Sequence, residues 1–199
     1  AQRTPFGLGL ALGGSRVVFV GARPASGAEL GVTDGLPGTE AMVKDIRSGT
    51  GSSLPRRLFG AGSRVYFETG FGDVNSRDLW VSDGTSEGTQ LLVTIPGISR
   101  GSLIPLMAAE INGSVLVHIG QTVVTDGTPT GTQLLVPGQT AGTASQMTKS
   151  GALVYFFVQV GTGPQADLWR SDGTSPGTWS LGRFELIAQY ADIGSLGDG

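Results

Sequence analysis

The chain carries few groups that can do chemistry. Cys is absent and His118 is the single histidine. Disulfides, thiolate zinc sites, cysteine nucleophiles and a two-histidine metal site within one chain are therefore excluded. What remains is a stock of carboxylates and a few aromatic rings. Four aspartates, Asp34, Asp83, Asp126 and Asp172, share a pattern: each is followed by Gly and then, after a short gap, by Gly-Thr. Repeated carboxylates of this kind can form a calcium array. They can equally fix turns, because an Asp side chain accepts hydrogen bonds from backbone N–H groups just beyond it while Gly supplies a positive φ. The turn reading is preferred, and these four are expected to be structural.

The other candidates weigh as follows. The stretch Asp73-Val74-Asn75-Ser76-Arg77-Asp78 hints at a calcium loop. Such a loop needs an oxygen ligand at its fifth position and Gly at its sixth, where this chain has Arg77 and Asp78. No metal and no cofactor are expected. Glycoside hydrolysis needs a pair of carboxyl groups. The acids outside the repeated motif, Glu40, Glu68, Glu87, Glu110 and Glu185, scatter by unit position and yield no pair. His118 aligns with Phe19, Phe67 and Phe156, which makes it a hydrogen-bonded core residue before it is a base. Trp80 and Trp169 share a column, whereas Trp179 falls out of that register. A Trp face stacks on sugars and also fills cores. Trp80, Trp169, Trp179 and His118 are thus the candidate ligand-binding residues, and no residue is assigned as catalytic.

The elements that position these groups follow from repetition. The motif aspartates lie 49, 43 and 46 residues apart. The copies read Asp34-Gly35-Leu36-Pro37-Gly38-Thr39, Asp83 to Thr89, Asp126 to Thr132 and Asp172 to Thr178, the first being one residue shorter. Around each lie short apolar runs bounded by Gly, Pro, Ser and Asp: Val17–Val20, Val65–Phe67, Val115–Val117 and Leu153–Phe157 upstream, and Leu91–Val93 or Leu134–Val136 downstream. These read as strands. The 34 Gly and 10 Pro far exceed the ordinary share of about 12% and supply the turns. A hydrophobic content of 39% is too high for a disordered chain. Each repeat offers four strands, and the run before the motif is apolar throughout, as in a strand buried on both faces. Stacked four-stranded sheets with a period near 46 residues describe a β-propeller.

The expected fold is therefore all-β, a small propeller of four blades with four antiparallel strands each. It forms a single repeat domain over 1–199, with units near 15–62, 63–113, 114–151 and 152–199. The two ends together exceed one repeat by about a strand and its turn. Either 4–12 or 185–196 then closes the ring, and the N-terminal strand is favoured as the completion of the last unit.

Two strings, Asp78-Leu79-Trp80-Val81-Ser82-Asp83-Gly84-Thr85 and Asp167-Leu168-Trp169-Arg170-Ser171-Asp172-Gly173-Thr174, resemble the bacterial repeat known by its consensus ELWxxDGT. Val43-Lys44-Asp45-Ile46 and Ser52-Ser53-Leu54-Pro55 look like the rest of that unit. The resemblance covers about four units, nearly the whole chain. It implies a secreted or surface protein of bacteria, notably myxobacteria, and no catalytic residue. Copies one and three depart from the consensus. Gly31 and Val123 replace Trp, Leu36 replaces Thr, and Gln121 replaces the acidic residue. Ser171-Asp172 through Trp179 also resembles the Asp-box turn of sialidase propellers, but its spacing differs and no sialidase chemistry carries over.

Net charge is −3 with 15% charged residues, so the basic footprint of a nucleic-acid binder is missing. No apolar run approaches the roughly 20 residues of a membrane helix. The start Ala1-Gln2-Arg3-Thr4-Pro5 lacks Met, as a mature end does after signal-peptide removal. The expectation is an exported module, secreted, periplasmic or on the bacterial surface, binding a glycan or a protein. The alternatives are a scaffold repeat without a small ligand and a hydrolase in the propeller mouth.

Overall fold

The computed structural model describes residues 10–70, 72, 74–98, 107–135, 144–159, 161 and 163–185. All regular structure among them is β. The first sheet holds β1 (Leu10–Gly13), β2 (Arg16–Arg23), β3 (Gly27–Thr33) and β4 (Ala41–Met42). The second holds β5 (Arg56–Ala61), β6 (Arg64–Glu68), β7 (Ser76–Ser82) and β8 (Gln90–Pro96). The third holds β9 (Met107–Ile111), β10 (Ser114–His118), β11 (Thr122–Thr125) and β12 (Gln133–Leu134). The fourth holds β13 (Ala144–Ser150), β14 (Leu153–Gln159), β15 (Gln165–Ser171) and β16 (Trp179–Glu185). Each sheet is an antiparallel meander in chain order, the topology of a propeller blade.

The chain divides into two compact units, 1–101 and 102–199, each with two sheets. In the first unit, Val18, Leu30 and Val43 of the first sheet region meet Val65 and Phe67 of the second, with Trp80 packed against them. In the second unit, Leu116 and Val124 meet Val154 and Phe156, with Trp169 alongside. The strands read as buried on both faces are the second strands of their sheets. Both β6 and β10 are buried from their second residue onward, whereas β14 alternates.

Strand phase corrects the sequence reading. The run Leu54–Gly60 was expected to end the first repeat, the unit 15–62, and β5 falls on it. It pairs instead with β6 and opens the second sheet. The N-terminal strand likewise does not complete the last unit, since Leu10, Ala11 and Gly13 pair with β2 and the last sheet has its own fourth strand. Residues 4–9 of the expected closing strand lie outside the described residues. The physical reason is the tight hairpin. Asn112 and Gly113 join β9 to β10 with φ of 48° and 80°, the doubly left-handed pair that a two-residue hairpin needs. Gly62-Ser63 makes the two-residue link between β5 and β6, with only Gly62 at positive φ (57°). A two-residue link forces its strands to be neighbours, and it outranks the Gly-to-Gly intervals used to divide the sequence.

Candidate functional site

The motif turns come first, because they frame everything else. In the second sheet, Asp83 Oδ1 accepts hydrogen bonds from the Thr85 amide at 2.8 Å and the Thr85 hydroxyl at 2.7 Å. The Gly88 amide donates to Thr85 Oγ1, and the Thr89 hydroxyl donates back to the Thr85 carbonyl. The same set recurs at Asp126 and Asp172. The motif's second Gly is explained by contact. A Cβ on Gly88, Gly131 or Gly177 would fall on the carboxylate of its own Asp. In the shorter first copy Leu36 supplies only an amide to Asp34. There the Gly38 amide donates to Glu40 Oε2 instead, and Gly38 adopts φ of 82°.

One member of the motif was missed in the sequence. Thr33, Ser82, Thr125 and Ser171 precede the four aspartates. Each hydroxyl accepts the amide of the Gly after Asp and pairs with the closing Thr. The signal was present, since all four positions are Ser or Thr.

Hydrogen bonding sets the charge of these turns. The Thr39 side chain and the Leu36 amide hold the Asp34 carboxyl below its ordinary value. Thr174 does the same for Asp172, first through its hydroxyl and then its amide. At Asp83 burial pushes upward, but Thr85 and the charge of Arg16 outweigh it, and the carboxyl is lowered. The turns of the second and fourth sheets also receive donors from the preceding sheet and its connections. Arg16 Nη2 donates to the Gly84 carbonyl at 3.0 Å, and Lys44 Nζ to the Thr89 carbonyl at 2.7 Å. In the second unit Asn112 Nδ2 donates to the Asp172 carbonyl at 3.0 Å.

Trp80 stacks on Phe67 with ring centroids 6.3 Å apart, and Trp169 on Phe156 at 6.5 Å. Both belong to their units' cores. Trp179 is 43% exposed and carries the Arg170 guanidinium 3.9 Å above its ring. His118 is fully buried, with Nδ1 3.1 Å from Thr122 Oγ1. Its column differs from the expected one. Val117 pairs with Val123 as Phe67 pairs with Trp80, so His118 aligns with Glu68, one residue later.

Glu68 is the most constrained acid. It is buried, 3.0 Å from Arg57 Nη1, 3.4 Å from Arg77 Nη1 and 3.7 Å from Arg56 Nε. Arg77 is itself enclosed. Burial lowers its pKa, Glu68 opposes that, and Arg57 and Arg56 reinforce it. The remaining motif-independent acids sit in separate places: Glu40 before β4, Glu87 in the second sheet's turn, Glu110 on β9 and Glu185 on β16. Among the described residues no group of three or more acidic or histidine side chains is placed to hold a metal ion. Asp73 lies outside them.

The departure at Gly31 produces the feature with binding geometry. Gly31 occupies the column of Trp80 and Trp169 and pairs across to Phe19. The Phe19 ring lies where a side chain at position 31 would go, its Cζ 2.6 Å from a Cβ built there. A recess of about 150 Å³ opens beside it, lined by Phe19, Gly31, Met42 and Ala22, with Arg23 and Glu40 on its rim. Arg23 Nη2 donates to the Glu40 carbonyl at 2.9 Å. Ser26 and the buried Glu29 line it as well, so its walls mix apolar and polar groups.

No family model matches the chain, and no curated protein matches it in sequence. Solved structures similar to it include a nidogen/laminin complex (12% identity, 86% of this chain and 60% of that one, TM-score 0.45). Others are an oligogalacturonate lyase in complex with manganese (10%, 85% and 50%, 0.43) and Raptor of Chaetomium thermophilum (11%, 86% and 16%, 0.40). The chain spans 60% or less of the length of each. Among the described residues no helix is long and apolar enough to cross a membrane.

Proposed function

We propose that the chain is a non-enzymatic binding module of an exported bacterial protein of the ELWxxDGT kind, and that it holds a protein partner through the recess of the first sheet. The observation that carries this is Gly31 where the second and fourth copies place Trp, with a recess beside it. A recess of about 150 Å³ is smaller than the 300–1,000 Å³ or so of ordinary ligand pockets. It suits a single ring or branched side chain, since an apolar cavity of about that size takes up benzene. Apolar side chains mixed with polar and charged ones are the make-up of a protein contact. Glycan binding has one observation of its own, the exposed ring of Trp179, although Arg170 occupies one of its faces. For a hydrolase, Glu29 and Glu40 do line the recess together, but Glu29 is buried and its carboxylate accepts hydrogen bonds from the Ser53 amide and hydroxyl, while Glu68 is held by arginines.

The test is site-directed photocrosslinking on native cells. A photoreactive residue at position 42 is expected to trap a protein. The same residue at position 74, where Val74 is 67% exposed, serves as the control. Absence of any protein adduct at position 42 sinks the reading.

A further inference from the structure

Asparagine occurs twice in the chain, as Asn75 and Asn112, and Asn112 is followed by Gly113. The amide nitrogen just beyond an Asn or Asp can attack that residue's Cγ and close a five-membered imide. Attack is fastest when the next residue is Gly, because no side chain hinders the nitrogen. Each motif turn presents such a pair, Asp-Gly, and disarms it. The Gly35, Gly84, Gly127 and Gly173 amides donate to the hydroxyls of Thr33, Ser82, Thr125 and Ser171, at 3.1, 3.0, 2.9 and 3.0 Å. The aspartates accept bonds at Oδ1 from within the turn, and a carboxylate anion is a poor target for a nucleophile. Asn112-Gly113 has neither safeguard. It forms the exposed two-residue link between β9 and β10. Among the described residues no hydrogen bond engages the Gly113 amide, and a Cβ built at Gly113 meets no atom within 4 Å. The Asn112 side chain is a neutral amide, held by the solvent-exposed donation from Nδ2 to the Asp172 carbonyl. At Asn75 the next residue is the buried Ser76, which carries a side chain and pairs with Pro96 in the β7–β8 ladder.

We propose that Asn112-Gly113 is a deamidation site in the third sheet's hairpin, and that the Ser or Thr before each motif aspartate shields the Asp-Gly pairs from the same reaction. The Gly113 nitrogen bonds to Asn112 Cγ, the Cγ–Nδ2 bond breaks, and the amide proton leaves with Nδ2 as ammonia. Water then opens the imide at either carbonyl. Opening at Cγ yields an ordinary aspartate. Opening at the main-chain carbonyl leaves the chain running through Cγ, as isoaspartate. Either product replaces the Nδ2 donor by a carboxylate that only accepts. The bond to the Asp172 carbonyl is then lost, and a negative charge stands beside the turn that Asp172 organises. Both partners lie in the unit 102–199. Isoaspartate also adds a backbone carbon to the link whose two-residue length sets β9 against β10.

The test is peptide mapping by mass spectrometry after the folded chain is aged in mildly alkaline buffer. Isoaspartate in each peptide is measured by its acceptance of methyl groups from an isoaspartyl methyltransferase. The peptide carrying Asn112 is expected to turn acid and to divide into aspartyl and isoaspartyl forms well before the peptide carrying Asn75 changes. The motif Asp-Gly pairs are expected to stay aspartyl in the folded chain and to yield isoaspartate when the chain is aged in urea. Thr33→Val, and separately Ser82→Ala, frees one Gly amide and should raise isoaspartate several-fold at that turn alone. Conversion at every turn would mark an unfolded variant, which is why two sheets are sampled. Asn112→Gln keeps an amide donor but needs a six-membered ring, so position 112 should stay unconverted. Three results would overturn the proposal: Asn112 converting no faster than Asn75, motif pairs converting as fast folded as in urea, or folded variants that leave the freed turns unchanged.

Discussion

Single side chains decide the motif turns. Each Asp carboxylate satisfies a backbone amide and a Thr hydroxyl inside one turn, a service comparable to capping a helix end. Asp83→Ala should lower stability by about 0.5–2 kcal/mol, read from the urea midpoint. Gly88→Ala should destabilise as well, because its methyl group meets the Asp83 carboxylate. That clash disappears once Asp83 is truncated, so the double variant should be more stable than the sum of the two losses implies. Additive losses would show that the carboxylate contact is not what demands glycine. Acid should act through the same groups. The Asp34, Asp83 and Asp172 carboxyls are lowered from 3.8 in the folded chain, so on acidification the unfolded chain takes up protons first. Their stabilisation is complete above the ordinary carboxylate value and is lost as pH falls through the lower folded values. Replacing all three by Asn should flatten the urea midpoint against pH across that acid range.

At the level of elements, existence was legible in the sequence and phase was not. The apolar runs announced β2, β6, β8, β10 and β14, since a run such as Val65-Tyr66-Phe67 has no other use between two glycines, whereas β13 (Ala144–Ser150) carries no such run and was not foreseen. Which run pairs with which was misjudged at Arg56–Ala61, because spacing was measured from motif to motif. The Gly62-Ser63 and Asn112-Gly113 hairpins, which decide it, are short and carry little apolar signal. The same slip moved His118 one column from its true neighbours. The recess could not be read at all. The exchange of Trp for Gly31 was visible, but whether Phe19 fills the gap is a matter of side-chain direction. Nor does spacing reveal the arginines gathered on Glu68 from β5 and β7. Glu68→Ala should be among the most damaging changes in the second sheet, at about 3–5 kcal/mol, since it removes a buried charge that faces the enclosed Arg77 at 3.4 Å. A midpoint within error of wild type would show that the cluster contributes nothing.

For the whole molecule, the sheets alternate in kind. The second and fourth have Trp in the shared column and a fourth strand of seven residues, whereas the first and third have Gly31 or Val123 there and a fourth strand of two. Protection from hydrogen exchange should follow the same division, because it tracks burial and pairing. The β6 and β10 amides are expected to exchange slowest, and those of β4 and β12 among the fastest. Uniform rates across all four sheets would contradict this.

The bonds that Arg16, Lys44 and Asn112 make to turn carbonyls have a bearing on how such chains change over generations. In the turns of Asp83 and Asp172 the aspartate engages the turn's own amides, and the carbonyls receive a cationic or amide side chain from the preceding sheet of the same unit. A duplicated segment would therefore arrive carrying both the acceptor and the donor of that junction. Sheets could then be gained or lost in pairs through tandem copying, with the donor and acceptor of each such junction travelling together.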